Sequence, residues 1–96
     1  MDKNSIIEKL KAIKPILSEK YGVTELALFG SYSRNEQNPE SDIDIMVDFT
    51  MRLGMKYFDL AYFIQDAFND AEVQVVSKGG IKPVYFESIK QDLLYA

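Results

Sequence analysis

The stretch from Leu26 to Phe49, LALFGSYSRNEQNPESDIDIMVDF, constrains this chain more than any other. It opens as an apolar run that reads as a strand and breaks at Gly30-Ser31. After a polar segment it re-enters a strand on two aspartates separated by a single residue. Successive residues of a strand point to opposite faces. Asp42, Asp44 and Asp48 therefore share one face with Met46, while Ile43, Ile45, Val47 and Phe49 line the other. The second face is wholly apolar and belongs in a core. The first carries carboxylates that packing does not require.

A metal supplies the reason. Carboxylates at i and i+2 of a strand lie roughly 7 Å apart at their Cα atoms, close enough for their side chains to converge on one cation. Mg²⁺ takes oxygen ligands and is usually held by one or two carboxylates with water and substrate phosphates. Gly30-Ser31 supplies the complementary half. A glycine after a strand lets backbone approach a ligand, and the helix start that follows offers free N–H groups to phosphate. Ser31 adds a hydroxyl and Arg34 a fixed positive charge. A bare D-x-D is more often the solvated side of an edge strand; the glycine-serine pair closing the preceding strand shifts the balance to a site.

The spacing Gly30-Ser31, ten residues, then Asp42-Ile43-Asp44 resembles the G-S-x10-D-x-D signature of the polymerase-β-like nucleotidyltransferases. The surrounding FGSYSRNEQNPESDIDIMVDF is similar to the minimal nucleotidyltransferase group, called MNT or MntA-type, and chain length and element order fit it over nearly all 96 residues. The resemblance implies a nucleotide site with Asp42 and Asp44 as catalytic and metal-holding acids, and with Gly30, Ser31 and Arg34 on the nucleotide. Members of the group are commonly antitoxins paired with a HEPN-domain toxin, and some transfer AMP from ATP onto a tyrosine of that toxin. The third strand of such proteins usually carries another aspartate, in a pattern like V-D-L-V. The matching position here is Gln74, in EVQVVS. Its amide can coordinate a metal through oxygen but brings no charge and is a very poor base. Glu72, two residues earlier on the same face, is a substitute only if the register shifts.

Composition narrows the chemistry. There is no cysteine and no histidine, so disulfides, thiolate metal sites and imidazole catalysis are excluded. Any metal is held by oxygen, which favours Mg²⁺ or Mn²⁺ over Zn²⁺. The net charge of −4 argues against binding a nucleic-acid backbone. Ninety-six residues, 47% hydrophobic and 27% charged, suit one globular domain. No signal-peptide apolar region and no membrane-spanning run is present, so a cytoplasmic location is expected, with no membrane contact.

Along the chain, Ile6, Ile7, Leu10, Ile13 and Leu17 recur at helical spacing, so about Asn4 to Lys20 reads as a helix. Asn4 or Ser5 is placed to cap it, with Glu8 completing a box; Pro15 bends or restarts it; Gly22 ends it. Val23 to Phe29 is a covered strand, and Ser31 to about Glu36 a short helix. Asn35 stands where the resembled family often has glycine, a mild departure because asparagine tolerates left-handed backbone. Arg34 either contacts phosphate or pairs with a carboxylate and braces the loop. Lys56 to about Asn69 is a helix with apolar residues on more than one face. It either lies between sheet and helix or offers part of its aromatic surface to a partner or a second copy. Lys78-Gly79-Gly80 is a turn, and the last helix, from Pro83, holds Val84, Phe86, Ile89, Leu93 and Leu94 for the core.

The expected fold is α/β (α+β in the broader sense): a small mixed sheet of about three strands, helices mainly on one face, the carboxylate face open to nucleotide. Three functions fit. The chain is a Mg²⁺-dependent transferase moving AMP from ATP to a hydroxyl of a partner protein; or it binds nucleotide and metal but turns over poorly because of Gln74; or it is a non-catalytic module that masks a toxin. With no second domain to grip an acceptor, the acceptor is expected to come from another protein.

Overall fold

The computed structural model describes residues 1–69 and 71–96. Helix α1 spans Lys3–Tyr21, followed by strands β1 (Val23–Phe29) and β2 (Ile43–Phe49), helix α2 (Lys56–Ala67), strand β3 (Val73–Ser77), helix α3 (Pro83–Ile89) and strand β4 (Leu94–Tyr95). The sheet order is β3-β2-β1-β4. β1 runs antiparallel to β2 and to β4, whereas β2 and β3 are parallel and joined through α2. The sheet is thus mixed, as expected, but has a fourth strand. Leu94 pairs with Leu28 and Tyr95 with Ala27, so Leu94 is a strand residue rather than the end of a helix.

Alternation along β1 and β2 builds two cores. Leu26, Leu28, Ile43, Ile45 and Val47 meet Ile6, Leu10 and Leu17 of α1 and Leu60 and Ile64 of α2, together with Phe68. Each such fully buried side chain contributes about 1.5–3 kcal/mol relative to exposure. On the opposite face Ala27, Phe29 and Met46 form a smaller cluster with Ile89, and Phe86, Ile81, Val76 and Leu93 pack against it. The carboxylate face is therefore covered at its middle and open at its Asp42–Asp44 end. α3 and the 3-10 turn after it (Lys90–Asp92) cover the part where Met46 is completely buried. Val84 does not join this core; it is 78% exposed.

Helix α1 starts one residue earlier than its spacing suggests. The Asp2 carboxylate accepts the Ser5 N–H at 2.9 Å, and Ser5 Oγ accepts the Asp2 N–H at 3.2 Å. Asp2, not Asn4 or Ser5, is the cap, and Ser5 rather than Glu8 closes the box. The helix runs unbroken past Pro15, because buried residues on both sides of it anchor one face to the sheet. Gly22 ends it at φ +67°, donating to Leu17 and Ser18. Among the described residues no helix is long and apolar enough to cross a membrane.

Candidate active site

Everything at the site starts from the turn that closes β1. Gly30 adopts φ +79°, a conformation that side chains disfavour, and a Cβ at this position would collide with Asp44 Oδ2 and lie 3.2 Å from Asp44 Cγ. The register explains the approach, since Phe29 pairs with Asp44 across the β1–β2 ladder. The backbone after Gly30 does not form a helix. It makes one turn, with Arg34 N–H donating to Gly30 O, Asn35 to Tyr32 O and Glu36 to Ser31 O at 2.8 Å. The last two bonds and Asn35 at φ +60° make the left-handed closure of a single helical turn, with asparagine in the place usually held by glycine. Ser31 is half-buried at its start.

This turn is tied to the C-terminal end of the chain. Ser33, buried, donates its hydroxyl to the Asp92 carbonyl. Arg34 donates Nε to Glu36 Oε1 and Nη1 to Asp92 Oδ2, both at 2.8 Å. Of the two roles open to Arg34, the structure contains the brace. Ser33 and Asp92 fix this turn, a role that the sequence does not announce. Asp92 lies 58 positions from Arg34, and no local pattern links them.

Asp42 is exposed, one residue before β2, and Asp44 is half-buried on the strand. Burial pushes the Asp44 carboxyl above its usual range, and repulsion from Asp42 adds to the shift; Arg34 opposes it. Gln74 is the register partner of Asp44 on the parallel neighbour β3, so the two side chains stand side by side on one face. Among the described residues no three acidic side chains converge. Glu72 therefore does not complete a trio with the two aspartates. Lys78 is not free for phosphate: its Nζ pairs with Glu25 Oε1 at 3.0 Å.

Two carboxylates set against a glycine turn between antiparallel strands can hold a metal-bound phosphate group. The nucleotidyltransferase domain family matches residues 10–94. The chain belongs to that family and is a transferase of the nucleotidyl class. It is 44% identical over 94 residues, covering 96% of this chain and 95% of the other, to a Methanocaldococcus jannaschii protein provisionally named protein adenylyltransferase MJ0128. To the protein adenylyltransferase MntA of Thermococcus cleftensis it is 33% identical over 87 residues, covering 90% of this chain and 87% of the relative. A solved structure provisionally described as a minimal nucleotidyltransferase has the same fold, with a TM-score of 0.80, 23% identity, and 98% and 95% of the two chains covered. A toxin–antitoxin crystal structure with AMP-PNP superposes at a TM-score of 0.69 with 26% identity, over 99% of this chain and 72% of the other.

Proposed function

We propose that this chain transfers AMP from ATP to a hydroxyl of a partner protein. The observation that carries the reading is the packing of Asp44 against Gly30, which supports a carboxylate acting beside the turn proposed to seat phosphate. The donor set suits Mg²⁺ or Mn²⁺: Asp42 and Asp44 supply charged oxygens, Gln74 can offer a neutral one, and a nearby cation would relieve the raised Asp44 carboxyl. When bound, such an ion neutralises charge on the phosphates. The turn after Gly30, with Ser31, seats the triphosphate. Arg34, committed to Glu36 and Asp92, keeps that turn in shape. The acceptor oxygen bonds to the α-phosphorus, the bond to the β-phosphate oxygen breaks, and pyrophosphate leaves; the hydroxyl proton passes to solvent or to the partner. Catalysis rests on positioning and charge.

The names of the relatives support the acceptor class: one is a protein adenylyltransferase, and a structural neighbour is a toxin–antitoxin complex. By that likeness, and by resemblance to the MNT group, the partner is a HEPN-type toxin and this chain its antitoxin. A second reading has its own observation. With neutral Gln74 beside Asp44 and no third acid converging among the described residues, proton removal from the acceptor is unassisted and turnover is slow.

The test is calorimetric ATP binding with and without Mg²⁺, on wild type and on Asp42→Asn and Asp44→Asn. Binding that needs both the ion and the aspartates is expected. Absence of binding at millimolar ATP would leave the toxin-masking function. Asp44→Asn should not lower metal-free stability at neutral pH. A raised carboxyl pKa means that the ionised form is disfavoured in the folded chain, a penalty present at neutral pH and absent below the ordinary carboxylate range.

A further inference from the structure

We infer that the groove between β3 and α3 holds the nucleobase of the nucleotide whose phosphates sit at Gly30-Ser31 and the Asp42–Asp44 pair. This inference rests on the nucleotide reading above. The groove has a volume of about 500 Å³ and is lined by Val76, Ser77, Gly80, Ile81, Lys82 and Tyr85. It lies on the same face of the sheet as the acids. Val76 follows Gln74 by two residues on β3, and Gln74 stands beside Asp44, so the groove begins roughly 7 Å along the strand from the acid pair. That separation leaves room for a ribose.

The lining suits a flat ring. Val76 and Ile81 pack over the buried cluster around Met46 and form an apolar floor. Tyr85, about half exposed, presents an aromatic ring, and bases stack on such rings whatever their identity. Ser77 and Lys82 supply polar atoms at the rim, and Lys78 beside them is committed to Glu25. A concave, mostly apolar cavity of a few hundred Å³ with few polar groups is the usual form of a small-molecule site. A protein acceptor docks over a much larger area, about 800 Å² per partner, and would not be held by six residues.

The test compares Mg²⁺-ATP with Mg²⁺-tripolyphosphate, which carries the phosphates without a base, on wild type, Tyr85→Ala and Val84→Ala. Wild type is expected to bind ATP more tightly than tripolyphosphate. Tyr85→Ala should weaken ATP by about tenfold, the size of one base–aromatic contact, and leave tripolyphosphate unchanged. Val84→Ala, exposed on the same helix but outside the groove, should change neither. Equal affinity of wild type for the two ligands, or unchanged ATP affinity in Tyr85→Ala, overturns the assignment. If ATP binding holds while the KM for a protein acceptor rises, the groove belongs to the acceptor. Tripolyphosphate binding with no gain from the base sinks this inference alone, whereas failure of both ligands to bind wild type sinks the nucleotide reading with it.

Discussion

Gly30 and Asp44 constrain each other: the turn reaches its shape only without a side chain at 30, and Asp44 occupies the space a Cβ would take. Gly30→Ala should destabilise the domain by about 1–3 kcal/mol, through its positive φ and the collision. It should also displace Asp44, so that Mg²⁺-dependent ATP affinity falls more steeply than stability; melting and calorimetry on the same preparation separate the two. Gln74→Asp places an acid beside Asp44 and should raise transfer of labelled AMP to the partner, towards the roughly 10²-fold or more that a positioned general base contributes. An unchanged rate would mean that proton removal is not limiting. Gly30, Ser31, Asp42, Asp44 and Gln74 were legible in the sequence because strand alternation and short spacings place them. Asp92 was not, since its hold on Ser33 and Arg34 exists only after α3 has folded back over the sheet.

Among the elements, α1 carries the clearest dependence on pH. The Asp2 carboxyl is held below its usual range by the Ser5 backbone N–H and then by the Ser5 hydroxyl. A depressed carboxylate pKa stabilises the fold above the unfolded value and ceases to do so as pH falls through the folded one. Asp2→Ala should therefore melt slightly lower than wild type at neutral pH, with the gap closing below the ordinary carboxylate value of 3.8. The start of this helix was misread because Ser5 can serve either as a cap or as the residue that answers one. Pro15 looked like a break because an interior proline costs about 3 kcal/mol; burial of Ile6, Leu10 and Leu17 on either side of it outweighs that cost. The C-terminus was misread for a related reason. Leu93 and Leu94 continue a helical spacing, and two residues give no strand periodicity, so only pairing with Ala27 and Leu28 reveals β4.

At the scale of the whole molecule, α2 presents an unburied apolar row: Met55, Phe58 at 65% and Tyr62 at 71% exposure. The sequence left open whether the aromatic surplus of this helix packs internally or meets a partner; these side chains do not pack internally. Phe58→Glu with Tyr62→Glu should leave melting temperature and ATP affinity unchanged. In a binding assay with the toxin partner proposed above it should weaken the complex by about 2 kcal/mol or more if this row is the interface. The other surface of α2 sets how copies of the sheet can meet. Gln65 accepts the Val73 N–H at 2.9 Å and donates to the Ala71 carbonyl at 2.8 Å, and the Tyr57 hydroxyl reaches the Val75 carbonyl. One side-chain amide thus takes the first N–H of β3 and the Ala71 carbonyl just before the strand. An incoming strand must first displace a group already tethered to the same domain, at an effective concentration no free chain can match. The start of the β3 edge is thus blocked by a side chain rather than by a neighbouring strand, and pairing of a second copy there is disfavoured from within the fold.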